Sequence, residues 1–303
     1  MVNLIKTVNL SVLRIEVRFY DDFLEFYNLA IPFLLENEAE NNLLLGILNG
    51  IRENPYRYGE SKLVLISVLD DNQLKLISLR TPPFNQILSY TDDLGSIDAL
   101  VDALNKKKDA IPGVFGIKEN VEKFAKLWCK GKALKTNLTM NERIYKLKNV
   151  AKDTLGDRKF IKADDSFKEL IFKWGREFMV EALSESEVKI RDNWKKHLQN
   201  SLDEERIFLL LNNGLPVSMA RKAGKTPNGI TVNLVYTPPS LRLRGYATEC
   251  VAKLSKLLLD EGNKFCFLFT DLLNPTSNSI YQKIGYRPII DVDQYEFIID
   301  KKE

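Results

Sequence analysis

The chain has 303 residues, 45% of them apolar and 28% charged, with a formal net charge of +3 at pH 7. Such a length predicts two domains of roughly 150 residues each, and so small a charge argues against a nucleic-acid surface. Three widely spaced cysteines, Cys129, Cys250 and Cys266, argue against a disulfide framework and a thiolate zinc site, and the single histidine, His197, makes a serine- or cysteine-hydrolase dyad a poor expectation.

Lys6, Arg14 and Glu16 precede any long apolar segment, and no stretch reaches the roughly 20 apolar residues of a membrane span, which reads as a cytoplasmic protein without a membrane segment. Helix-like periodicity over Asp22–Leu35 and Glu38–Glu53 is followed by a hairpin over 62–80 turning near Asp71-Asn72, and then by Thr81-Pro82-Pro83. The densest basic run, Lys106-Lys107-Lys108, reads as a solvated helix end. In the second half a strand near 143–151 precedes helices over Ser166–Leu183 and Ser186–Asn200, the latter holding His197 as a surface histidine. A hairpin over 206–221 turning at Asn212-Asn213-Gly214, one more strand and Thr237-Pro238-Pro239 follow.

The tripeptide Thr-Pro-Pro thus occurs twice after helix, helix and hairpin, which predicts two related domains, 1–135 and 136–303. Aligning the tripeptides sets Gln86, Ser89 and Thr91 against Arg242, Gly245 and Ala247. Glycine lacks a Cβ and lets the main chain approach a ligand with positive φ. Ser89 in that place predicts that the first domain kept the architecture and lost the cradle.

Residues 233–251 read as a strand, a loop and a helix. Asn233–Tyr236 suits a buried strand, and two successive prolines end it. Ala247, Cys250, Val251, Leu254, Leu257 and Leu258 then recur at helical spacing. The loop between lies at a strand's carboxyl end and a helix's amino end, where backbone N–H groups and the helix dipole attract phosphate.

Arg242, Gly245 and Ala247 fit the (Gln/Arg)-x-x-Gly-x-(Gly/Ala) signature of the GNAT N-acetyltransferase superfamily. Asn274, Ser277, Tyr281, Gly285 and Tyr286 resemble its second signature, with Ser277 replacing the usual alanine. Leu243 stands where some relatives carry glycine. The chain resembles a two-domain GNAT protein with a degenerate amino-terminal copy. That implies an α+β (mixed α/β) fold in which each domain has a mostly antiparallel, centrally splayed mixed sheet flanked by helices, the second closing with the strand at 294–300.

The resemblance also implies acetyl-CoA as co-substrate, no metal, and direct attack by a primary amine in a ternary complex. The amides of Leu243, Arg244, Gly245, Tyr246, Ala247 and Thr248 would hold the pyrophosphate, with charge from Arg242 and Arg244. Val235, Tyr236 and Thr237 would pair with the pantetheine arm, and a backbone N–H near Tyr236 would polarise the thioester carbonyl. Asn274 and Asn278 would contact the cofactor, and Tyr281 would protonate the leaving thiolate. A core aromatic remains the other reading of Tyr281, whose neighbours Ile280 and Ile284 supply an apolar face. No carboxylate lies in residues 230–236, so the base is left to Asn233-ordered water or to a carboxylate from elsewhere. The resemblance further implies a small-molecule or peptide amine as acceptor, and a monomer or homodimer. Alternatives are a larger amino-sugar or peptide amine bound by both halves, and a non-catalytic acyl-CoA sensor.

Overall fold

The computed structural model describes residues 3–4, 15–108, 110–182 and 193–300. Two units emerge, one of Met1–Glu142 with Ile290–Glu303, the other of Arg143–Ile289.

In the first unit β1 (Asn3–Leu4) pairs antiparallel with β2 (Ile15–Tyr20). Asp22 starts α1 (Phe23–Glu36): its carboxylate accepts the N–H groups of Leu24 and Glu25 at 2.7 and 3.0 Å, satisfying two of the orphan donors of a helix start. The helix expected from Glu38 begins later, as α2 (Asn42–Glu53). The hairpin forms as expected between β3 (Val64–Asp70) and β4 (Gln73–Arg80), with Asp71 and Asn72 both at positive φ, the geometry of a two-residue turn that matches strand twist. β5 (Gln86–Leu88), α3 (Leu94–Lys107), β6 (Gly113–Ile117) and α4 (Lys118–Cys129) follow. Ile66, Leu76, Leu100, Leu104, Val114 and Phe124 lie in the core between this sheet and helices α3 and α4.

β7 (Leu134–Leu147) carries the chain into the second unit, where β8 (Lys159–Lys162), α5 (Lys168–Ala182), α6 (Trp194–Asp203), β9 (Ile207–Asn212), β10 (Leu215–Lys225), β11 (Gly229–Tyr236), α7 (Tyr246–Asp260), β12 (Phe265–Asp271) and α8 (Pro275–Ile284) succeed one another. The expected strand near 143–151 is thus the end of a longer strand, and β8 is an element that periodicity did not announce. Of the helix expected over Ser186–Asn200, residues 186–192 lie outside the described residues. The sheet of this unit runs β7-β12-β11-β10-β9-β8. One of its faces packs Tyr145, Val232, Leu254 and Ile284 with α7 and α8; the other packs Trp174, Leu198 and Leu209 with α5 and α6. Mixed, mostly antiparallel sheets flanked by helices are what the resemblance implied.

The last strand, β13 (Arg287–Ile299), departs from the expectation. Its residues Val292–Glu296 pair antiparallel with β6, so the segment expected to close the second half joins the sheet of the first unit.

The repeat also has a different marker from the tripeptide. In each unit a run of antiparallel strands leads to a parallel pair bridged by a helix: β5 to β6 through α3, and β11 to β12 through α7. β5 therefore corresponds to β11. Thr81-Pro82-Pro83 lies one connection too early, between antiparallel β4 and β5, whereas Thr237-Pro238-Pro239 leads from β11 into α7. Setting Ser89 against Gly245 is thus not a structural equivalence. Gly245 caps α7, and the residue capping α3 is Asp93, whose carboxylate accepts the N–H of Gly95 at 2.9 Å.

Candidate functional site

β11 is bulged. Leu234 has φ +50°, and the register against β10 slips by one residue between the Arg221–Asn233 and Met219–Tyr236 partners. Strand side chains alternate between faces, so without the extra residue Ile230, Val232, Leu234 and Tyr236 would all share one. Instead Ile230 and Val232 pack with α7 and α8, while Leu234 and Tyr236 pack with Trp174 and Leu198 on the opposite face. On the other edge, the parallel ladder to β12 covers Gly229–Thr231 alone. From Val232 to Tyr236 that edge has no β12 partner, leaving backbone groups available to an extended ligand.

A single 3-10 turn, Pro239–Leu241, follows the strand. Leu243 and Gly245 then take φ values of +62° and +78°. The first helical bond of α7 runs from the Glu249 N–H to the Gly245 carbonyl at 3.0 Å, and Gly245 offers no capping side chain. The N–H groups of Tyr246, Ala247 and Thr248 thus stand ahead of the ladder at the positive end of a 15-residue helix. A Cβ on Gly245 would meet no atom within 4 Å, so glycine serves the positive φ and open approach rather than packing. Leu243 holds its left-handed conformation at a cost of roughly 1–2 kcal/mol, and its side chain, 94% exposed, recovers none of it by burial.

Arg242 is tied into the loop. Its Nε donates to the Thr237 carbonyl at 2.9 Å, its NH2 pairs with Glu181 of α5 at 2.6 Å, and its guanidinium lies 5.8 Å from the Tyr236 ring centre. Arg244 is exposed. Thr237 donates from Oγ1 to Ser218 Oγ at 2.9 Å, and Ser218 in turn donates to the Tyr236 carbonyl at 3.2 Å, fixing the strand end.

The second signature builds the turn from β12 into α8. Asn274 caps α8 by accepting the Ser277 N–H at 3.0 Å. Asn278 donates from Nδ2 to the carbonyls of Asp271 and Asn274, both at 2.8 Å, and accepts the hydroxyl of Tyr145 at 2.9 Å. Tyr145, fully buried and also contacted by Gln282 at 3.2 Å, is a member of this network that no sequence motif marked. Gly285 closes the helix at φ +114°, where a Cβ would stand 2.8 Å from the Asn149 carbonyl. Tyr281 is 8% exposed, in the same core cluster as Tyr246, with Val235 packed against that cluster.

Across the sheet, α5 brings an unforeseen carboxylate to the end of β11. Tyr236 donates its hydroxyl to Glu177 Oε2 at 3.0 Å, from a ring packed 6.1 Å from that of Trp174. Burial, then the hydrogen bond and charge of Glu177, push the phenol up to about 12. Asn233, on the strand itself, accepts from Arg221 Nε at 3.0 Å. Glu177 lies 59 residues before Tyr236, and in sequence it carries no signal beyond its place on an amphipathic helix.

Burial pushes the thiols of Cys250 and Cys266 up to about 12, well away from a reactive thiolate. Among the described residues no group of three or more His, Cys, Asp or Glu is placed to hold a metal ion, and no helix is long and apolar enough to cross a membrane.

The FR47-like protein family model matches residues 212–298. No curated protein matches the sequence significantly. Among solved structures, a Drosophila protein aligns over 94% of this chain and 99% of its own with a TM-score of 0.65 at 10% identity. A GCN5-related N-acetyltransferase from Sphaerobacter thermophilus aligns over 95% and 96% with a TM-score of 0.60 at 10% identity. A GNAT-family acetyltransferase from Colwellia psychrerythraea aligns over 93% and 100% with a TM-score of 0.55 at 12% identity. At such identities the likeness is one of fold. Residues 212–298 are therefore similar to FR47-like proteins, and the chain has, over nearly its whole length, the fold of these GNAT acetyltransferase structures.

Proposed function

We propose that the second unit is an N-acetyltransferase that takes the acetyl group of acetyl-CoA to a primary amine. The observation that supports this most is the sequence of open backbone groups: an unpartnered strand edge from Val232 to Tyr236 leads through a loop with two left-handed residues to the uncapped start of α7. These groups fit the parts of acyl-CoA in order. The edge at Val235–Thr237 suits an extended amide chain, and the N–H groups from Leu243 to Thr248 suit a pyrophosphate. The acyl donor supplies a thioester carbonyl open to a nitrogen nucleophile. The protein's part is to orient that carbonyl at the bulge, to offer a backbone N–H near Tyr236 to its oxygen, and to place the Tyr281 hydroxyl as proton donor for the departing sulfur. Asn274 and Asn278 hold the turn that sets α8, and with it Tyr281.

Calorimetry with CoA tests this reading. The wild-type chain should bind, and Gly245→Glu, which sets a carboxylate at the phosphate position, should lose binding at least about a hundredfold. Gly245→Asn, tolerant of positive φ, controls for the backbone and should retain most affinity. Undiminished binding by a folded Gly245→Glu variant would remove the cradle from the proposal.

A further inference from the structure

We propose that Glu177 receives the acceptor amine, so that the acceptor enters as an alkylammonium ion and leaves its first proton on this carboxylate. The inference rests on the acetyl-transfer reading above and deepens it by naming the acceptor's chemical class.

Position is the first support. The bulge at Leu234 turns Tyr236 onto the α5 face, and Glu177 meets that ring's hydroxyl, one tyrosine side chain away from the end of the unpartnered strand edge. Asn233, the polar side chain on β11 itself, is neutral and occupied by Arg221.

Charge is the second. Two carboxylates lie one helical turn apart on α5, but they are not alike. Glu181 is paired with Arg242 at 2.6 Å. Glu177, half-buried, has no cationic side chain within 4 Å among the described residues, although Lys173 stands one turn away on the same helix. The guanidinium on the Tyr236 ring, that of Arg242, is paired with Glu181, so an incoming ammonium would give Glu177 a direct counter-ion of its own.

The hydrogen bonding leaves room for it. The Tyr236 phenol fills Oε2 and, held protonated by burial and by its acidic neighbours, remains a donor; no protein donor among the described residues reaches Oε1. An ammonium N–H therefore has an acceptor ready, of the charge-assisted kind. The proton passes from the nitrogen to Glu177, and the freed lone pair forms the bond to the thioester carbonyl carbon as the carbon–sulfur bond breaks. The nitrogen's second proton balances the one taken up by the thiolate, and Glu177 returns its own to water.

The test compares acceptors that differ in charge. Thiol release from acetyl-CoA is followed at pH 7 with n-butylamine and benzylamine, which are cationic there, and with aniline and methoxyamine, which are neutral. Glu177→Gln should lower kcat/KM by about 10² or more for the first pair and by less than about threefold for the second, with CoA affinity unchanged. Glu177→Asp should recover part of the loss. Equal losses on both pairs, no loss on either, or a wild-type chain that acetylates neither alkylamine would overturn the assignment. A wild-type chain that fails to bind CoA would overturn the acetyl-transfer reading as well, which separates the two failures.

Discussion

Arg158 and Glu249, 91 residues apart, form a salt bridge at 2.5 Å, and the Arg158 backbone N–H donates to the same carboxylate at 2.8 Å. Lys253, one turn along α7, adds a third contact at 3.0 Å. Glu249 is nearly buried in the first turn of α7, so this cluster clamps the loop before β8 to the helix whose start forms the proposed cradle. Glu249→Ala should leave two cations without their counter-charge: among the described residues Arg158 keeps only Asn212 Oδ1 and the Tyr246 ring, and Lys253 only the Arg158 carbonyl. Removing one member of a buried pair costs about 3–5 kcal/mol, and the lower end applies because Arg158 keeps a third of its exposure. Urea unfolding should show that loss, and a variant within about 0.5 kcal/mol of wild type would show the cluster to be a surface ion pair in effect.

The first unit should bind no CoA, so titration should saturate at one equivalent per chain. The physical reason lies in what occupies its strand end. Asn41 Oδ1 accepts the Tyr90 N–H at 2.8 Å, Asn120 Nδ2 donates to the Thr91 carbonyl at 3.2 Å, and the Asp93 carboxylate caps α3 where an anion would have to sit. Two equivalents by calorimetry, or hydrogen-exchange protection of residues 89–93 on adding CoA, would refute it.

Tyr281→Phe separates proton donor from core aromatic. Removing the hydroxyl and keeping the ring should lower kcat by about 10² or more if the phenol protonates the thiolate. Melting should change by no more than the roughly 1 kcal/mol of one hydrogen bond. Full turnover with an unchanged CoA affinity would leave Tyr281 with the packing role that its core position also suits.

Tyr236 should limit stability in alkali. Its folded value, about 12, lies above the 10.0 of a free phenol. Between those values the unfolded chain has released a proton that the folded chain retains, so stability contributed by this group is complete below pH 10 and falls as pH rises towards 12. Tyr236→Phe should lose about 1 kcal/mol near neutrality and show a shallower decline above pH 10. Parallel pH–stability curves for the two proteins would show that Tyr236 does not contribute to that decline.

Much of the molecule is written locally in its sequence. Asp22 places the start of α1, Asp71-Asn72 and Asn213-Gly214 turn their hairpins, and Pro238 with Pro239 ends β11, because caps, turns and strand breaks depend on a few adjacent residues. The loop at 242–248 and the α8 turn at 274–286 were legible for the same reason: each is contiguous, so its residues meet by chain connectivity alone. Tertiary structure decided the rest. Which strand β13 joins, and that Thr81-Pro82-Pro83 and Thr237-Pro238-Pro239 occupy different connections, are matters of long-range pairing, to which a short tripeptide match is blind. The slip at Leu234 moves Tyr236 to the opposite face of the sheet, and only there does it meet Glu177. Periodicity reports which side of a strand a residue would take in a regular ladder. It holds no information about a one-residue bulge set by the neighbouring strand, and hence none about which carboxylate stands at the strand's end.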